Sequence, residues 1–162
     1  MKSFATVISL VLTLCTISFT SCAGEYMKIS GFTADDGIRY SILDEKTVAV
    51  SGSSDYNENI VIPATVEYQA KTYTVVGIKR SAFYGCMWLE TIILPKTLET
   101  IELGAFIGCS NISCITIQAT IPPTLEGEVF EEIVYQNATL IVPYSTIYKE
   151  EWPQFLHIVD QQ

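Results

Sequence analysis

The sequence predicts a β-rich repeat solenoid with short helical corners, on the strength of two internal periodicities. In the first, Ile78, Ala82, Phe83, Gly85, Cys86, Leu89, Ile92 and Leu94 return 23 residues later as Ile101, Ala105, Phe106, Gly108, Cys109, Ile112, Ile115 and Ile117. Leu98 likewise returns as Ile121, and Val129-Phe130 reads as a degenerate third copy, 24 residues beyond Phe106. In the second, two branched apolar residues flank one position and proline follows. It occurs as Ile60-Val61-Ile62-Pro63, Ile92-Ile93-Leu94-Pro95 and Leu140-Ile141-Val142-Pro143. Ile115-Thr116-Ile117 fills the remaining slot, with Gln118 in place of proline. Alternating branched residues favour strands, and proline ends them. The Ala-Phe-x-Gly-Cys segments are long enough for one turn or a 3₁₀ turn. Such a unit cannot bury its own apolar side, so about four of them must stack.

The chain begins with Met1-Lys2-Ser3, the apolar stretch Phe4 to Phe19, and Thr20-Ser21-Cys22. A positive start, a short apolar segment and small residues read as an export signal over residues 1–21. Phe19-Thr20-Ser21-Cys22 resembles a bacterial lipobox, in which cleavage precedes the cysteine and its thiol is acylated; Phe19 stands where an aliphatic residue is usual. Acyl chains anchor a protein firmly once two are present. After the signal, residues 22–57 comprise a short tether and a hairpin of strands near Ile38–Leu43 and Thr47–Ser51, joined through Asp44-Glu45. Repeats occupy 58–143. Residues 144–162 form the end, with Ser145 as N-cap of a short helix stopping near Trp152-Pro153.

Composition fits one globular domain: 162 residues, 49% hydrophobic, 17% charged. That much apolar content excludes a disordered chain. Eighteen acids against nine bases give a net charge of −9, which argues against a nucleic-acid partner. No apolar run reaches the roughly 20 residues that span a bilayer. From Ser81 onward ten acids meet only Lys96 and Lys149, and Glu126, Glu128, Glu131 and Glu132 are the densest group. Without the spaced Asp/Asn/Gly pattern of a calcium loop they read as a solvated rim, not a metal or hydrolytic site.

Catalytic motifs are missing from the sequence: no Gly-x-Ser-x-Gly, His-Glu-x-x-His, Walker or Rossmann pattern occurs. The single histidine, His157, reads as a residue packed beside Phe155 and Ile158. Cys86 and Cys109 hold the same slot in successive repeats. Buried free thiols are one reading, and a bridge between neighbouring rungs is the alternative. Cys109 and Cys114 lack zinc-ligand spacing.

The segment Ala82-Phe83-Tyr84-Gly85-Cys86-Met87-Trp88-Leu89-Glu90-Thr91-Ile92-Ile93-Leu94-Pro95 closely resembles the repeat of the BspA-like leucine-rich repeat proteins. Asp36 to Ile42 with Thr47 to Val50 is similar to that family's N-terminal β cap, and Leu140 to Phe155 to its C-terminal cap. The resemblance implies a leucine-rich-repeat solenoid with an N-terminal β cap and a short C-terminal helical cap. It also implies a surface or secreted bacterial protein, since some relatives are adhesins.

Function is therefore expected to be binding, not catalysis, with no cofactor and no metal. The first reading is a lipid-anchored protein of the outer membrane or cell surface that binds an extracellular protein or glycan. The second is a structural or accessory subunit of a surface assembly with no ligand of its own. By the period of two, the middle residue of each strand signature points outward. Val61, Ile93, Thr116 and Ile141 then form one ladder, bordered by Asn59, Thr91, Cys114 and Thr139.

Overall fold

The computed structural model describes residues 31–52 and 58–162. The signal segment and Cys22 lie outside the described residues. The described chain opens with three antiparallel strands, β1 (Gly31–Thr33), β2 (Arg39–Ile42) and β3 (Thr47–Val50). Aspartates close both turns. Asp36 accepts from the Ile38 N–H and the Tyr40 hydroxyl, each at 2.8 Å. Asp44 accepts from the N–H groups of Lys46 and Thr47 and from the Thr47 hydroxyl. Side-chain acceptors of this kind stand in for a backbone turn.

Next come β4 (Asn59–Val61) and a hairpin of β5 (Thr65–Tyr68) with β6 (Lys71–Ile78). The chain then climbs through β7 (Thr91–Leu94), β8 (Thr100–Ile101), β9 (Cys114–Ile117) and β10 (Thr124–Leu125). It ends with α1 (Glu132–Asn137), β11 (Thr139–Val142), α2 (Ser145–Glu151) and β12 (His157–Asp160). Two sheets result among the described residues. One runs β1-β2-β3-β6-β8-β10, with β5 added on β6. The other, in the order β12-β11-β9-β7-β4, is parallel throughout.

The 23-residue period has a direct physical meaning: each repeat stacks its corner on the next. Phe83 N–H donates to the Ala105 carbonyl at 2.8 Å, and Phe106 N–H to the Val129 carbonyl at 3.0 Å. The rings of Phe83, Phe106 and Phe130 follow the same translation, stacking at 4.9 Å with planes 5° apart. All three are buried, each contributing about 1.5–3 kcal/mol by area alone. At the far end Phe155 meets Phe130 edge-on at 5.5 Å. Buried polar tips are satisfied there too. Tyr148 donates to the Ala119 carbonyl at 2.8 Å and the Trp152 indole to the Pro123 carbonyl at 3.1 Å.

Four local expectations need correction. Leu98 is buried, but Ile121 is 79% exposed. The period lengthens by one residue at this point, since Thr100 pairs with Thr124 as Phe106 stacks on Phe130. That slip gives Pro122 the place of Leu98 and turns Ile121 out. Ser145 is the first residue of α2, and Tyr144 precedes it without a side-chain cap. The Ser145 N–H and hydroxyl bind Asp160 instead, at 2.6 and 3.0 Å, tying the helix to β12. The segment after Pro143 supplies a strand as well as the expected helix. His157 opens that strand and is exposed; Ile158 points inward, so its neighbour must point out.

Candidate interaction surface

The parallel sheet of β4, β7, β9, β11 and β12 aligns the outward residues of successive rungs. Val61 pairs with Ile93, Ile93 with Thr116, Thr116 with Ile141, and Ile141 with Val159. Their flanks Ile60, Ile92, Leu94, Ile115, Ile117, Leu140 and Val142 are buried. Val61 is 60% exposed and Val159 44%, while Ile93, Thr116 and Ile141 between them are half-buried. Among the described residues the end strands lack a neighbour on one side, which accounts for the difference. A second row runs beside the first, two residues earlier: Asn59, Thr91, Cys114, Thr139 and His157. It is polar, and the Thr91 hydroxyl donates to the Asn59 amide oxygen at 2.6 Å. Successive strands lie about 4.8 Å apart, so both rows span roughly 19 Å.

Val159 and His157 extend rows that sequence reading ended at Ile141 and Thr139. Their strand carries Asp160 opposite Val142, where the other signatures have their second branched residue, and Gln161 in the place of proline. The pair Ile158-Val159, standing between charged or polar residues, was the available signal.

The cysteines divide by position. Cys86 and Cys109 are buried and not joined in a disulfide, and Cys109 Sγ donates to the Phe83 carbonyl at 3.0 Å. Burial pushes the Cys109 thiol up to about 12 and raises Cys86 as well. Neither is a nucleophile at neutral pH. Cys114, likewise unbridged, sits half-buried in the polar row.

Of the acidic group, Glu126, Glu128 and Glu132 are exposed and Glu131 is half-buried. Glu131 accepts from the Gly108 N–H at 3.1 Å, and Glu132 from the Gln136 amide at 2.8 Å on the next helical turn. Among the described residues no three of His, Cys, Asp or Glu are grouped to hold a metal ion. No helix of the described residues is long and apolar enough to cross a membrane.

A family model described as the BspA type leucine rich repeat region (6 copies) matches residues 56–149. The chain belongs to the BspA-type leucine-rich repeat family. Among solved structures, this BspA-type chain is similar to a leucine rich cell surface protein from Faecalibacterium prausnitzii. The identity is 18% and the TM-score 0.54, covering 81% of this chain and 32% of that one. It is also similar to a leucine-rich repeat protein from Bacteroides capillosus, at 16% identity and TM-score 0.53. There the match covers 82% of this chain and 99% of that one. The chain thus spans about a third of the Faecalibacterium protein and nearly all of the Bacteroides one. No curated protein matches the sequence. The likeness is one of fold, and leucine-rich repeats are interaction modules.

Proposed function

We propose that this BspA-type protein is exported, lipid-anchored through Cys22 at the outer membrane or cell surface, and binds an extracellular protein or glycan as an adhesion or interaction module. Its repeats act as a solenoid, with the N-terminal hairpin and the α2–β12 segment as caps. The observation that carries the reading is the in-register outward row of Val61, Ile93, Thr116, Ile141 and Val159. Four of its five residues are apolar, and a polar row borders it. An apolar stripe with a polar margin is a docking surface of the ordinary kind. Ligand contact buries the stripe, and the margin sets orientation. The Faecalibacterium relative's description as a cell surface protein supports the location.

The face is tested in two steps. In a Cys22→Ala background, a bulky thiol reagent should modify Cys114 in the folded protein well before Cys86 or Cys109. The mature chain is then applied to an array of glycans and matrix proteins, and Ile93→Lys should lose the ligands found while its melting temperature stays near wild type. Unfolding of Ile93→Lys would make Ile93 core and remove the face. Crosslinking on intact cells separates the accessory-subunit reading, which requires stoichiometric envelope partners.

The anchor has its own test. Metabolic palmitate labelling should disappear in Cys22→Ala, and label persisting on that variant would refute the assignment.

A further inference from the structure

The outward rows of the parallel sheet read nearly the same from either end. Across β4, β7, β9, β11 and β12 the apolar row is Val61, Ile93, Thr116, Ile141, Val159. Valine answers valine and isoleucine answers isoleucine about Thr116. In the bordering row, Asn59, Thr91, Cys114, Thr139, His157, threonine answers threonine about Cys114 and a polar side chain stands at each end. Exposure follows the same symmetry, since Val61 and Val159 are exposed and the three residues between them half-buried. Among the described residues β9 is the middle strand of this sheet.

A surface that reads the same in both directions is what an isologous interface needs, because each residue must suit its counterpart on an identical patch. We propose that a second copy of this chain docks on the sheet face, the two sheets packing face to face about a two-fold axis that runs along β9. This rests on the outward-row reading given above and names the partner of that face. Rotation about the axis lays β4 of one copy over β12 of the other, and β7 over β11. Val61 then meets Val159, Ile93 meets Ile141, and Thr116 and Cys114 meet their own counterparts. The strands of the two copies run in nearly the same direction, as in aligned sheet packing. An axis along the row would set Val61 on Val61 whatever the composition, so the mirrored composition matters only for an axis along the strands.

Charge points the same way. Neither row contains an aspartate, glutamate, lysine or arginine, in a chain of eighteen acids and nine bases. Two bodies of net charge −9 repel, and a face without charged side chains adds least to that repulsion. Glu58 and Glu90 are exposed where the chain enters β4 and β7. The proposed axis sets them opposite Leu156 and Ala138, which precede β12 and β11, and so keeps the acids of the two copies apart. Size sets the strength. Strand spacing and rise give a face of roughly 19 Å by 13 Å, or about 250 Å² in outline. A standard stable interface takes about 800 Å² from each partner, so this dimer is weak and forms only in concentrated solution.

Sedimentation equilibrium of the mature chain in a Cys22→Ala background should show the mass rising toward a dimer as concentration enters the millimolar range. Association should strengthen with salt, which screens the repulsion. Ile93→Lys and Ile141→Glu should each weaken it about tenfold or more, because each buries a charge against isoleucine. Mixing the two variants should restore it, since the introduced charges of opposite sign then face each other across the axis. In the unmutated face a short bis-maleimide should join the copies through Cys114. A chain that stays monomeric into the millimolar range overturns the dimer. If Ile93→Lys, still folded, also loses the ligands found on the array, the face takes a different partner and its outward reading survives. Unfolding of Ile93→Lys instead removes the face and the dimer together. A mixture that associates no better than either variant alone overturns the axis along β9, as does a dimer that the bis-maleimide fails to link.

Discussion

Phe106→Ala is expected to cost about 3–5 kcal/mol, a large share of the roughly 5–15 kcal/mol that holds a domain folded. Phe106 is the middle ring of the stack and packs against Phe83 and Phe130 at 4.9 Å on either side. Removing it leaves both neighbours facing a cavity that stacked backbones cannot collapse to fill. At a chain length of 162 residues the melting temperature should fall by about 10 °C. Phe83→Ala takes away the neighbouring ring of the same stack and should destabilise as well. Urea midpoints of the three proteins measure the losses. A Phe106→Ala midpoint matching wild type would mean that the repeats do not stack through their aromatic corners.

Gly108→Ala should be nearly as damaging, and Gly85→Ala much less, although the two glycines hold equivalent positions. Both adopt positive φ, 84° at Gly108 and 75° at Gly85, so each substitution carries the cost of about 1 kcal/mol for a left-handed backbone. The surroundings separate them. A Cβ on Gly108 would stand 2.8 Å from the Gly85 Cα and 2.9 Å from its nitrogen, both backbone atoms of the previous rung. Among the described residues a Cβ on Gly85 would meet nothing within 4 Å. Relief at Gly108 requires prying two rungs apart next to the hydrogen bond from Gly85 N–H to the Ile107 carbonyl. Thermal melts should place Gly85→Ala close to wild type and Gly108→Ala several degrees lower. Equal losses would show that conformation, not contact between rungs, governs this position.

The stacked corners were legible in the sequence because translation by one rung demands the same residue type at the same offset. Phe83, Phe106 and Phe130 announce it, as do the alternating Ile92-Ile93-Leu94 and Ile115-Thr116-Ile117. The outward row followed from the period of two once the strands were identified. What escaped had a common cause: contacts between segments distant in sequence leave no periodic mark. Ser145 looks like a helix cap until Asp160 is brought beside it from β12. Ile121 looks like a repeat of Leu98 until the one-residue slip before Thr124 turns it outward.

Near-identical corners also carry a hazard for the folding chain. Phe83 can meet Phe130 almost as well as it meets Phe106, so a register that skips a whole rung is a close competitor of the native one. The two ends remove this degeneracy. At one end Phe32 packs on Tyr68 at 4.1 Å, and at the other Tyr135 and Phe155 meet Phe130, with Trp152 stacked on Phe155. Among the described residues no other rung offers either cluster the same partners, so a skipped register strands one of them in water. The aromatic residues at the termini thus act as counters, fixing how many rungs lie between them before the stack zips shut.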